Sequence, residues 1–210
     1  MSAALFALSI LILLFSVILH EVCHGLAALK FGDHTAERAG RLTLNPLPHI
    51  DPIGTILLPL LTIISGSRVL FGWAKPVPVN PLNFSNIKKG ELIVSLAGVG
   101  ANFGLAILGA IILHILGLFS VQDYWFRLLN QAVNLNLGLT VFNLLPVPPL
   151  DGSKVLMSLL PYRYAKSYLT LERFGPFILL GLLFINFGGI SVIDVILGTS
   201  ISLLRSLLFI

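Results

Sequence analysis

Apolar residues run almost unbroken from Ala3 to Leu19, and Gly25 to Leu29 takes the run up again after a short polar insert. At a rise of 1.5 Å per residue, one helix from about Ala3 to Phe31 crosses a hydrocarbon layer of roughly 30 Å with residues to spare. Three later runs predict further spans or pairs of spans: Glu91 to Phe119, Leu128 to Leu150, and Phe174 to Phe209, the last broken at "NFGG" into a tight hairpin. Between the first run and Glu91 the pattern changes. "RAGRLTLNPLPHIDP" alternates briefly before prolines cut it, which predicts a short strand or hairpin. "FGWAKPVPVNP" is too rich in proline for a helix and predicts extended chain. Ile53 to Ser65 is short and holds Pro59, the signature of a re-entrant or interfacial segment rather than a full crossing. Together these elements predict an all-α polytopic membrane protein of about five to six transmembrane helices, with a re-entrant segment and a small membrane-associated β element.

Composition agrees with the pattern. Of 210 residues, 56% are hydrophobic and 10% charged, far below the roughly 25% charged content of soluble domains. No polar block long enough to fold alone separates the apolar runs, so residues 1–210 read as a single membrane-embedded domain. Its core covers about 3–160 and a C-terminal helical hairpin about 174–209. The net charge of +4 is spread between apolar segments and forms no continuous basic face, which argues against a nucleic-acid partner. The single cysteine, Cys23, excludes an intrachain disulfide and a cysteine-only zinc site. The N-terminal run lacks a basic n-region and continues into the polar insert, so it is expected to be a retained span rather than a signal peptide.

The polar insert is the chemical anomaly. In "SVILHEVCHGLAALKFG", His20 and His24 stand four apart on one helical face, with Glu21 beside them. Three unpaired polar groups at membrane depth would each cost several kcal/mol, and one metal ion compensates all of them. This is the HExxH arrangement, in which two imidazoles bind Zn²⁺ and the glutamate is the base that deprotonates the attacking water. A catalytic zinc needs a third protein ligand and an open position. A third histidine six residues after His24 would fall at Lys30, which excludes the metzincin pattern. His34, Glu37, His49 and Asp51 lie in a polar connection where solvated or turn roles are expected. A thiolate ligand at Cys23 is disfavoured, because a small buried role is ordinary for cysteine. His114 has no partner pattern and reads as a hydrogen-bonded core residue.

Asp151 sits in "FNLLPVPPLDGSKVLMSLLP", where prolines close a span. Irregular backbone at membrane depth is tolerated where it is buried in protein or lines a wet cavity. Asp151 is therefore either a ligand or the cap of a short helix from Gly152 to Leu160. Asn143 is either a hydrogen-bond donor toward a developing oxyanion or a structural amide between helices.

"HEVCH" in the first span together with "NLLPVPPLDG" closing a later one resembles the site-2 protease family of intramembrane zinc metalloproteases (peptidase family M50), in its compact form without PDZ or CBS domains. "FGWAKPVPVNP" and "SLAGVGANFGLA" are also similar to segments of that family. Val99 and Ser153 depart from it, standing where members often carry proline and glycine. The resemblance implies that His20, His24 and Asp151 bind one Zn²⁺ per chain. It also implies that Glu21 is the general base, that Asn143 assists near the substrate carbonyl, and that the substrate is a transmembrane segment of another protein in the lipid bilayer. Arg41, Leu42, Thr43 and Leu44 of "GRLTL" are either an amphipathic connector or, as the resemblance supports, an exposed edge that receives the substrate as an added strand.

If Asp151 joins the two histidines, the first span and the span before Asp151 end in the same leaflet, and an even number of crossings separates them. Ile53 to Ser65 is then re-entrant or lies along the interface. Lys30, Arg38, Arg41, Arg68, Lys75, Lys88 and Lys89 then share a side with Lys154, Arg163, Lys166 and Arg173, leaving Arg127 nearly alone opposite. By the positive-inside rule the expected location is the cell (inner) membrane, with the active site toward the cytoplasm. A transporter using the same ligands would spread ionisable groups along its spans, whereas Glu91, Asp123 and Asp194 stand at span ends or loops. An inactive scaffold would have lost chemical residues, and all of those expected are present.

Overall fold

A computed structural model describes residues 3–57, 64, 74–118, 124–187 and 190–210. Helix α1, Ala3–Lys30, follows the first apolar run, which contains no proline and no glycine before Gly25. It ends where Gly32 takes a positive φ of 95° and Asp33 N–H turns back to Ala28 O at 3.0 Å. Only glycine adopts that backbone region without strain. A one-turn helix α2, Thr35–Arg38, follows.

Residues 38–52 form no strand. Thr43 Oγ1 accepts the Asn45 N–H at 3.1 Å, and Asn45 Oδ1 accepts the Leu47 N–H at 3.1 Å. Side chains thus take backbone donors that a ladder would need, and Pro46 leads into a 3₁₀ turn at Leu47–His49. The expected edge at Arg41, Leu42, Thr43 and Leu44 is therefore corrected to an irregular turn. Among the described residues, the strand pair is elsewhere: β1 Asn186–Phe187 and β2 Ile190–Ser191, within the expected "NFGG" hairpin. Of the segment expected to be re-entrant, Pro52–Leu57 is a single wide helical turn, and most of the remainder lies outside the described residues.

Helix α3, Ile87–Leu118, starts where Asn86 Oδ1 accepts the Lys89 N–H at 2.9 Å. Helix α4, Tyr124–Leu144, is followed by the proline-broken turn and α5, Asp151–Leu159. The chain then continues through α6, Tyr162–Leu169, α7, Gly175–Phe184, and α8, Val192–Leu207. α3 is central, with α1 along one side, α4 along another and α5 across its start. Buried small residues on α1 and α3, among them Ala27, Ala28, Ala106 and Ala110, allow this close approach. A second core of Ala106, Leu113, Val133 and Leu137 receives Ile201 and Leu204 of α8. The Arg205 guanidinium ties α8 to α4 by donating to Asn130 Oδ1 at 2.9 Å and to Asn134 Oδ1 at 2.6 Å.

Among the described residues the molecule is mostly helical, and two stretches, Ala7–Lys30 and Ile87–Leu118, are long and apolar enough to cross a membrane. His114, expected in the core, is exposed on α3, with its Nε2 2.9 Å from Leu208 O.

Candidate metal centre

Three polar side chains from distant parts of the sequence converge beneath the apolar surface. His20 and His24 come from α1 and Asp151 from the first turn of α5, and they are 6%, 8% and 6% exposed. His20 Nε2 lies 2.9 Å from His24 Nε2, and each lies 3.1 Å from Asp151 Oδ2. Asp151 does not cap its helix, where Leu150 holds the N-cap position. Its carboxylate faces the histidines instead. The turn that delivers it is held by Ser153, whose Oγ–H donates to Leu150 O at 2.7 Å. Gly152 is required there, since a Cβ at this position would stand 2.2 Å from Leu144 O.

These donors fit a zinc ion. His24 Nδ1 is 2.6 Å from the Val94 carbonyl, which can only accept, so the proton sits on Nδ1 and Nε2 of the neutral ring presents a lone pair. That lone pair, His20 Nε2 and a carboxylate oxygen point at one place, an arrangement that is repulsive until a cation joins them. Four-coordinate zinc with bonds of about 2.0 Å needs ligand separations of about 3.3 Å, within a few tenths of the distances above. No other such group occurs among the described residues.

Two supports were not read from the sequence. Gly98 of α3 brings backbone against the rings: a Cβ there would lie 2.4 Å from His24 Nε2 and 2.8 Å from His20 Cε1. Asn102, one turn further along, is buried with its Nδ2 3.1 Å from His20 Nδ1, while its Oδ1 has no partner. Exchanging the amide N and O, which are indistinguishable by shape, lets Oδ1 accept from His20 Nδ1–H. It also leaves Nε2 free for a metal. Both residues lie in "SLAGVGANFGLA", where a polar residue and glycines on an apolar helix were the available signal. Asn102→Ala is expected to weaken zinc affinity about 10- to 100-fold, measurable by competition with a chelating dye. Unchanged affinity would show that Asn102 does not orient His20.

A cavity of ≈ 440 Å³ opens beside the cluster, lined by Glu21, Val77, Glu91, Asn143, Lys154 and Glu172 among others. Glu21 Oε2 accepts the Val77 N–H at 2.7 Å. Asn143 faces the same cavity, with its Nδ2 donating to Leu139 O at 3.0 Å within its own helix, so one amide proton is already engaged. Arg41, Leu42, Thr43 and Leu44 do not line it. Arg41 is buried and structural, donating from Nη2 to Lys75 O at 2.7 Å, and Leu42 packs against Gly25. Of the other candidates, His49 is fully buried beside Arg41, with its Nε2–H donating to Thr43 O at 2.9 Å. Asp51 accepts the Ile53 and Gly54 N–H groups in a turn, and His34 pairs with Glu37 at the surface. Cys23 is no part of the cluster.

The segment 74–80 is fastened at both ends. Lys75 N–H donates to His49 O at 2.9 Å, and Asn80 N–H donates to Asp33 Oδ2 at 2.7 Å. Burial raises the Asp33 pKa, but the hydrogen bonds from Thr35, Asn80 and Asn83 outweigh it and hold the carboxyl below its ordinary value.

Comparison with known proteins supplies the chemistry's context. The family model described as peptidase family M50 matches residues 114–185. The chain is 38% identical over 186 residues to "Putative zinc metalloprotease YwhC" of Bacillus subtilis, covering 84% of this chain and 80% of that one. It is 36% identical over 145 residues to "Putative zinc metalloprotease Rip2" of Mycolicibacterium smegmatis, covering 66% and 52%. Zinc metalloprotease MJ0392 of Methanocaldococcus jannaschii is 30% identical over 195 residues, covering 91% and 46%. The chain thus spans about half the length of the latter two. No solved structure matches. With relatives this similar over most of its length, the chain belongs to peptidase family M50, the site-2 protease family, and is a zinc metalloendopeptidase.

Proposed function

We propose that this metalloendopeptidase works within the bilayer, hydrolysing peptide bonds in or beside transmembrane segments of other proteins, as in regulated intramembrane proteolysis. The observation carrying this reading is the placement of the three-ligand cluster between helices whose outer faces are aliphatic. Leu11 is 60% exposed and Leu108 55%, with Phe15, Ile111 and Ile115 alongside them. Such faces suit lipid rather than water. In this reading α1, α3 and α4 cross the membrane and α7 and α8 also lie in it, making five membrane helices among the described residues.

His20, His24 and Asp151 hold the zinc, which when bound lowers the pKa of water toward about 7 and polarises the scissile carbonyl. Glu21 takes the proton of the attacking water and delivers it to the leaving amine. Asn143 offers its remaining amide proton to the carbonyl oxygen as charge develops there. The loops flanking α1, α3 and α5 carry most of the lysine and arginine, so the site opens toward the cytoplasm of the cell membrane.

The test uses inside-out and right-side-out membrane vesicles containing the enzyme and a model transmembrane substrate. Cleavage is expected inside the apolar segment by mass spectrometry of the products, with a membrane-impermeant zinc chelator inhibiting only when the cytoplasmic face is outermost. Cleavage confined to residues outside the apolar segment, or inhibition from the opposite face alone, would defeat the reading.

A further inference from the structure

Ser16 of α1 and Asn136 of α4 are 1% and 4% exposed, and neither Ser16 Oγ nor Asn136 Oδ1 has a hydrogen-bond partner among the described residues. The Asn136 Nδ2 donates to Ala132 O at 2.9 Å within its own helix, so the amide oxygen is left calling for a donor. Both side chains line a second cavity, of ≈ 390 Å³, in the angle between α1, α3 and α4. Its other walls are apolar, among them Leu11, Phe15, Leu105 and Leu108. Leu11 and Leu108 are exposed, so the cavity is a groove open on the outer face of the helices. An apolar pocket with a few convergent polar groups is the usual form of a binding site, and unpartnered buried polar atoms are costly until something meets them.

The groove and the metal centre occupy consecutive stretches of the same three helices. On α1, Ser16 of the groove and His20 of the metal cluster are four residues apart, on one face and separated by a rise of about 6 Å. On α4, Asn136 of the groove and Asn143 of the metal cavity share a face two turns apart. α3 runs the other way, giving Leu105 to Ile112 to the groove and Glu91 to Ser95 to the cavity. An occupant of the groove is therefore aimed at the metal.

Depth selects that occupant. Ser16 stands about 21 Å along α1 from Lys30, inside a hydrocarbon layer of about 30 Å. A phospholipid presents only its chains there, with its polar groups held at the boundary, and would leave both atoms unpartnered. A transmembrane helix satisfies its own backbone and can still deliver one polar side chain at that depth. We propose that this groove receives the still-helical half of the substrate's transmembrane segment, and that Asn136 and Ser16 read a single Ser, Thr, Asn or Gln side chain on it. That side chain donates to Asn136 Oδ1 and accepts from Ser16 Oγ–H, about one turn from where the chain unwinds at the metal. This inference rests on the intramembrane peptidase reading above.

Two measurements test it. The first maps disulfide cross-links in membranes between Leu108→Cys, in a Cys23→Ala and Glu21→Gln background, and single cysteines walked along a transmembrane substrate. A helix in the groove gives cross-links that recur every three to four substrate residues, on one side of the scissile bond. The second places serine or alanine at successive positions of an otherwise apolar transmembrane substrate and compares kcat/KM for wild type, Asn136→Leu and Ser16→Ala. At one position the wild type is expected to favour serine over alanine about three- to tenfold, and both variants to lose that preference at equal zinc content. A preference that persists in both variants would belong to the substrate's own helix and overturn the proposal, as would the lack of a preference at every position. Cross-links without a helical period, or links formed only between two copies of the enzyme, would overturn it too. If a variant fails to load zinc, the cross-link period alone decides. Failure of the peptidase reading is distinguishable: the Glu21→Gln protein would then cut the substrate at the wild-type rate.

Discussion

Glu21→Gln is expected to slow cleavage of a transmembrane substrate by about two to four orders of magnitude, with zinc content unchanged. The substitution keeps the side chain's size, and the glutamine carbonyl oxygen can still accept the Val77 N–H that holds Glu21 Oε2 at 2.7 Å. Position is thus preserved while the capacity to take a proton is lost. The metal site is undisturbed because the cluster consists of His20, His24 and Asp151, without Glu21. Rate measurements on purified wild-type and variant protein, paired with zinc quantitation, separate the two properties. Equal rates would strip Glu21 of its role as base, and parallel loss of zinc would make it structural.

Gly98→Ala is expected to abolish activity by a different route, through the metal. A Cβ at 98 would stand 2.4 Å from His24 Nε2 and 2.6 Å from His24 Cε1, distances that force something to move. The ring has little room to do so, because its Nδ1 is fixed 2.6 Å from the Val94 carbonyl on the same helix. Either that bond breaks or α3 withdraws from α1, and overpacking of this kind costs about 1–3 kcal/mol. Zinc affinity is expected to drop by more than about a hundredfold, read by dye competition on protein whose helicity is intact. Gly100→Ala and Gly104→Ala are the controls, since nothing lies within 4 Å of a Cβ at either position on the same helix. If Gly98→Ala binds zinc as tightly as Gly100→Ala, the close approach of α3 is not what shapes the ligand pair.

The metal centre was legible because its chemistry is costly in an apolar setting. His20, Glu21 and His24 stand out against the run around them, and Asp151 stands out beside its prolines. The long helices were legible for the same reason, with α1 and α3 falling within a few residues of the runs that predicted them. Asn102 was harder to single out: one amide on a helix implies a partner without naming it, and the partner, His20, lies 82 residues earlier. The strand expected after α1 failed because alternation in "GRLTL" carried less weight than the local bonds of Thr43 and Asn45, which capture backbone donors before a partner strand can. The proline-rich segment was read as extended, but its path past Glu21 depends on anchors at His49 and Asp33 that no local pattern encodes.

Those anchors divide the catalytic apparatus into two pieces. Segment 74–80 is bonded to Asp33 and His49, both in the connection that follows α1, and to Glu21 on α1 itself, the helix that carries the two histidines. Asp151 arrives separately, on α5. A displacement of α5 would alter the geometry of the metal shell, since Asp151 Oδ2 stands 3.1 Å from the Nε2 atoms of His20 and His24. The shell is therefore complete only while α5 keeps its place across α3, so a change in the packing of those two helices is felt at the metal before it reaches any residue of α1.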